Sequence, residues 1–210
     1  IGISRIYGGV IENWLLLSVP LFVFMGAMLD KSGLAQNLLY SLERLLGRKR
    51  GGLAISVAVL GIIMAASTGI VGASVVMLST LALPIMLREK YKPELAVGTI
   101  AASGTLGILI PPSIMLVLIG DILHISVGDL FLGAIIPGLL LGGLYIAYII
   151  YVAITKPSYT PVSSEQRYEG SLFLSLIRDL FAPVVLILTV LGSIATGTAT
   201  PTEDAGRGGG

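Results

Sequence analysis

The sequence has no cysteine, a single histidine and a single tryptophan, and only 12% of its 210 residues are charged. Without cysteine there are no disulfides and no thiolate metal sites. A net charge of +1, with Lys and Arg scattered along the chain, excludes the clustered basic surface that nucleic acid requires. The deepest lack is local. Leu53 to Leu87 is 35 residues without a charge, and Leu95 to Gly120 contains no Asp, Glu, His, Lys or Arg. With 55% hydrophobic residues and a mean hydropathy of +0.95, the composition is that of an integral membrane protein. The chain begins at Ile1 and ends Gly206-Arg207-Gly208-Gly209-Gly210, which reads as a piece of a longer protein.

A straight helix over Leu53–Leu87 would rise about 52 Å, against a hydrocarbon core of about 30 Å. The run is interrupted by Ala66-Ser67-Thr68-Gly69-Ile70-Val71-Gly72, and basic residues flank both ends (Arg48, Lys49, Arg50; Arg88, Lys90, Lys92). Both ends therefore face the cytoplasm, and the run is a re-entrant hairpin with a polar tip deep in the membrane. The second charge-free segment carries Ser103-Gly104-Thr105-Leu106-Gly107 and then Pro111-Pro112-Ser113. Pro112 has no amide donor and disfavours helix at Pro111, so this span divides into two half-helices.

Around these segments, Trp14–Leu29 reads as one span with a kink at Pro20, and Leu34–Leu46 as an amphipathic helix in the interface, stopped by Gly47. Asp121, His124 and Asp129 mark an outside loop, Leu130–Thr155 returns inward, residues 156–171 form a cytoplasmic linker, and Leu180–Ala195 is a final span. Tyr145, Tyr148 and Tyr151 with Lys156 read as an interface anchor, and Gly138–Gly143 as GxxxG-type helix packing, a partner subunit among the options. The expected architecture is an all-α integral membrane protein. Residues 1–50 supply a scaffold span and an arm helix, and residues 51–120 half of a transport domain, with hairpin 51–87 and broken helix 95–120. Residues 121–196 return to the scaffold, and residues 197–210 open a second repeat.

The uncharged breaks offer neutral oxygen. Hydroxyls of Ser67, Thr68, Ser103 and Thr105, and carbonyls freed at Gly69, Gly104, Gly107, Ile110 and Pro112, suit a small hard cation such as Na⁺, while half-helix N-termini suit an anionic substrate. A proton relay would need ionisable groups that these segments lack. Enzyme chemistry fares no better: the sole histidine, His124, stands about 20 residues from the only serine, Ser103, that resembles an intramembrane protease nucleophile.

Pro20-Leu21-Phe22-Val23-Phe24-Met25-Gly26, the Ala-Ser-Thr-Gly tip, Gly104-Thr105-Leu106-Gly107 followed by Ile110-Pro111-Pro112-Ser113, Gly128-Asp129-Leu130-Phe131 and Ala199-Thr200-Pro201-Thr202-Glu203 occur together and in order. The chain thereby resembles the large membrane (M) subunit of tripartite ATP-independent periplasmic (TRAP) transporters. The resemblance implies a multi-pass protein of the bacterial inner membrane, the first half of an inverted-repeat, elevator-type importer of organic acids driven by Na⁺. Its partners would be a small membrane subunit, a periplasmic substrate-binding protein and membrane lipid. By position, the family's first Na⁺ site maps onto Ser67, Thr68, Gly69, Gly104, Gly107, Ile110 and Pro112, with substrate beside Ser67, Ser103 and Thr105. The family's second half is missing after Glu203, so transport is not expected of this chain alone. The rival readings are a proton-coupled or other ion-transporter-type anion carrier and a non-transporting membrane scaffold.

Overall fold

Two glycines punctuate the first complete helix. Gly33, in the left-handed region at φ 73°, precedes α1 (Leu34–Leu46), and the Gly47 amide closes it on the Glu43 carbonyl at 2.7 Å. This computed structural model describes residues 20–21, 23–24, 27–28, 31–68, 70–162 and 172–195. The expected span Trp14–Leu29 therefore lies largely outside the described residues, although those that are described within it are helical. The segment 197–210 and most of the expected linker also fall outside.

The apolar stripe of α1, with Leu38, Leu39 and Leu42, is buried in one core with Leu53, Ala54 and Val57 of the next helix. Burying the stripe against protein is what stabilises a helix of this length, because isolated short helices are marginal. The corner between them is tight. Gly51 adopts φ +78°, and a Cβ on Gly52 would fall on the Leu46 carbonyl group. Next to this corner, Glu43, Glu89 and Tyr91 are buried, and Arg88 reaches Glu89 at 3.8 Å. Burial pushes the Tyr91 phenol up to about 12, so it stays neutral at the base of the structure.

α2 (Gly52–Thr68) and α3 (Val71–Arg88) form the antiparallel hairpin, joined where Ile70 turns extended at φ −122°, ψ 114°. Each arm is about 25–27 Å long. Their contact is sealed by Leu60, Leu78 and Met86, all fully buried. α4 (Pro93–Thr105) starts on a proline at a position where the missing amide costs nothing, and it packs along both hairpin arms. A 3₁₀ turn at Leu106–Ile108 ends it, and α5 (Ile114–Leu123) begins after the Pro111-Pro112 pair, whose peptide bond is cis. The helix is thus interrupted between Thr105 and Ile114, and its two parts cover 93–105 and 114–123 against the expected 95–120.

α6 (Val127–Thr155) is capped by Ser126, whose hydroxyl accepts the Asp129 amide at 3.4 Å. α3 and α6 are both long and apolar enough to cross a membrane. Gly138 and Gly142 serve packing within the chain: a Cβ on Gly138 would stand 3.0 Å from Ile110 Cγ1, and one on Gly142 2.9 Å from Ile62 Cδ1. That removes the partner-subunit option for these two glycines. α7 (Leu172–Ala195) begins eight residues before the expected Leu180. An apolar window stops at Arg178, but a helix does not, since its first turns can carry charge outside the hydrocarbon. His124 ends α5 at φ 54° as an exposed loop residue. Among the described residues there is no strand.

Candidate functional site

The break in the second charge-free segment packs against both helices of the first. The 3₁₀ turn that ends α4 touches both α2 and α3, and small residues make this approach possible. A Cβ on Gly61 of α2 would overlap Ser103 Cβ, and one on Gly104 would overlap Val75 Cγ2, 3.1 Å from the Val75 Cα and amide nitrogen. The backbone of α4 is therefore pressed against α2 at Gly61 and against α3 at Val75.

At the tip, the Ile70 carbonyl accepts both the amide and the hydroxyl of Ser74, each at 3.1 Å. Ser67 and Thr68 form the last turn of α2, while their side chains and all of Gly69 lie outside the described residues. On the facing segment, Ser103 is 1% exposed, and its hydroxyl has no hydrogen-bond partner among the described residues. Burying such a group unpaired costs about 1–3 kcal/mol. Thr105 behaves differently. It is exposed, and its hydroxyl donates to the Ala102 carbonyl at 2.7 Å.

The break has its own stitching. Leu109 and Ile110 amides converge on the Leu106 carbonyl at 3.0 and 2.9 Å, and the buried Ser113 hydroxyl donates to the Ile108 carbonyl at 2.9 Å. The Gly104 carbonyl takes the Leu106 amide. No described backbone hydrogen bond ends on the carbonyls of Gly107, Ile110 or Pro112, although all three residues are buried. Buried carbonyls are normally paired. Ser113→Ala would orphan the Ile108 carbonyl as well, and it should lower stability by about 1–3 kcal/mol, read as a lower midpoint in detergent-solubilised thermal unfolding.

Electrostatics follows from the helix ends. The C-termini of α2 and α4 present carbonyls, and the N-termini of α3 and α5 present amides, so a cation is favoured at one pair and an anion at the other. Among the described residues no group of three or more His, Asp or Glu surrounds a metal position, which leaves neutral oxygen as the available donor set.

A second feature escaped sequence reasoning. Between α4 and α6 runs a cavity of about 600 Å³, lined by Glu94, Thr99, Ser103, Tyr148, Lys156 and Tyr159 among others. The tyrosines expected only to anchor α6 form its wall. Tyr159 could not be placed from periodicity because it stands in a short 3₁₀ turn (Pro157–Tyr159) beyond α6.

A family model described as "Tripartite ATP-independent periplasmic transporter, DctM component" matches residues 2–209. The chain is 35% identical over 196 residues to the C4-dicarboxylate TRAP transporter large permease protein DctM of Pseudomonas aeruginosa, covering 92% of this chain and 44% of that protein. It is 33% identical to the protein of the same description in Vibrio cholerae, covering 96% of this chain and 44% of the relative. It is also 32% identical to the sialic acid TRAP transporter large permease protein SiaM of Vibrio cholerae, covering 94% and 45%. The chain thus spans less than half the length of these relatives.

Proposed function

The chain belongs to the DctM family of TRAP transporters, and from that premise we propose that it forms one half of a Na⁺-coupled permease importing organic acids across the bacterial inner membrane. What supports the reading is that the 3₁₀ turn after α4 packs against both hairpin helices, and that among the described residues no backbone hydrogen bond ends on the buried Gly107, Ile110 and Pro112. Na⁺ would be held by carbonyls of Gly104, Gly107, Ile110 and Pro112 with the tip residues Ser67, Thr68 and Gly69. A substrate carboxylate would lie near Ser67, Ser103 and Thr105, facing the α3 and α5 N-termini. The relatives' names include C4-dicarboxylate and sialic acid, both carboxylates, which agrees with an anion at those amides. Hairpin and α4 would move as one body against α6 and α7 in an elevator motion. A periplasmic binding protein would deliver substrate, and a small membrane subunit would complete the scaffold.

The test is uptake into proteoliposomes containing the whole permease that carries this chain. An inward Na⁺ gradient should drive uptake. Gly107→Val, which crowds the break, should raise the half-saturating Na⁺ concentration tenfold or more, equivalent to about 1.4 kcal/mol of site free energy. Uptake that follows a pH gradient in Na⁺-free medium would instead favour a proton-coupled carrier. Unchanged uptake in Ser67→Ala and Thr105→Val would favour a scaffold role for this half.

A further inference from the structure

We propose that the cavity between α4 and α6 is a binding groove for one anionic phospholipid of the cytoplasmic leaflet, its phosphate held by Lys92 and Lys156 and an acyl chain lying along the groove. Sidedness rests on the same distribution of basic residues that orients the chain. The groove shares Ser103 with the proposed substrate position but none of the proposed Na⁺ ligands.

The mouth is built for an anion. Lys92 Nζ stands 4.5 Å from the Tyr159 ring centroid and Lys156 Nζ 5.2 Å from it, while the Lys92 amide donates to the Tyr159 carbonyl at 3.3 Å. Two exposed ammonium groups are gathered on one ring, and among the described residues neither forms an ion pair with a carboxylate. Two like charges gathered at one ring favour a shared anion such as a phosphate over either charge alone. Basic pockets between membrane helices on the cytoplasmic side suit anionic head groups for this reason. Glu94 also lines the groove and opposes an anion there, which gives the proposal a sign that can be tested.

The body of the groove has the length and polarity of an acyl chain. Its α6 wall runs from Lys156 to Tyr145 and its α4 wall from Glu94 to Ser103. These stretches span about 16 Å and about 14 Å at 1.5 Å per residue, close to half of a hydrocarbon core of about 30 Å. Leu95, Ala102, Ile149 and Val152 supply apolar surface, and Tyr148 and Tyr151 stand exposed along its side. Gly98 lines it too, and a Cβ there would meet nothing within 4 Å. The groove is open space at that point. A lipid there would lie beside the direct packing of α2 on α6 at Ile62 and Gly142.

The experiment reconstitutes the whole permease into nanodiscs of dioleoylphosphatidylglycerol and dioleoylphosphatidylcholine in equal parts, extracts it in mild detergent and counts retained lipids by native mass spectrometry. Phosphatidylglycerol should be retained about tenfold over phosphatidylcholine, a preference of about 1.4 kcal/mol. Lys92→Gln with Lys156→Gln should abolish the preference, the double Arg variant should keep it, and Glu94→Gln should increase it. Gly98→Phe should expel the lipid without lowering the melting temperature. Gly133→Phe, at another glycine with nothing within 4 Å, should leave retention unchanged. Equal retention of the two lipids, or phosphatidylglycerol retention insensitive to Gly98→Phe, would overturn the proposal. So would a groove that holds no lipid and loses thermal stability in Gly98→Phe, since it would then be filled by the remainder of the permease. Lipid counts are read without transport, so a failed Na⁺ assignment leaves this result interpretable.

Discussion

Gly104→Ala in the whole permease is expected to reduce Na⁺-driven uptake by about 10- to 100-fold, because overpacking of a tight contact typically costs about 1–3 kcal/mol. The added methyl would overlap Val75 Cγ2 and stand 3.1 Å from the Val75 backbone, so it would push the end of α4 away from α3. Removing part of the obstacle should restore part of the function. Val75→Ala deletes the overlapping methyl but leaves the backbone, so Gly104→Ala/Val75→Ala should recover most but not all of the lost uptake, with a coupling energy of about 1 kcal/mol or more in a double-mutant cycle. If Gly104→Ala retains full uptake and an unchanged Na⁺ dependence, the close packing of α4 on α3 is not functional. A loss in which Na⁺ affinity is unchanged and expression falls would identify the contact as structural only.

The sequence made the two breaks legible because each rests on strong local chemistry. A charge-free run longer than the membrane is thick must turn back on itself, and a prolyl-proline cannot continue a helix. The end of α1 is equally plain, since Gly47 follows a leucine stripe at helical spacing. Other features depend on which residues meet across the fold. Gly61 reads in isolation as one small residue in an apolar run, and only the packing shows that it makes room for Ser103. Gly138 and Gly142 announced a close helix contact without naming the other side, which proves to be Ile110 and Ile62 of the same chain. The direction of the Thr105 hydroxyl, exposed and donating to the Ala102 carbonyl, follows from helical geometry and is not written in its place in the sequence. The groove was illegible for a similar reason. Lys156 of its lining and Lys92 beside it stand 64 positions apart in sequence, and both lie against Tyr159, in a turn without periodicity.

Gly52→Ala should destabilise the protein more than any other glycine-to-alanine change considered, by about 3 kcal/mol or more, at the upper end of what overpacking usually costs. The new methyl would fall on the Leu46 carbonyl oxygen and carbon, and neither atom can rotate away as a side chain could. The only relief is movement of the corner between α1 and α2. That corner is also held by Leu38, Leu39 and Leu42 in the shared core and by the buried Glu43, Glu89 and Tyr91 beside it, so a shift would open packing and strip buried polar groups of their surroundings together. Truncating Leu38 to Ala in the same core should cost about 2–5 kcal/mol by leaving a cavity. It should do so without changing the angle of the arm, whereas Gly52→Ala should change both stability and angle. A pair of spin labels at exposed Tyr40 on α1 and exposed Val76 on α3 distinguishes the two: their distance distribution should move or broaden in Gly52→Ala and stay put in Leu38→Ala. Gly133→Ala, where a Cβ meets open space, supplies the baseline and should leave stability within about 1 kcal/mol of the parent. If Gly52→Ala matched that baseline, the corner would have to be looser than the contact with Leu46 allows, and α1 could not transmit the position of the hairpin to the rest of the fold.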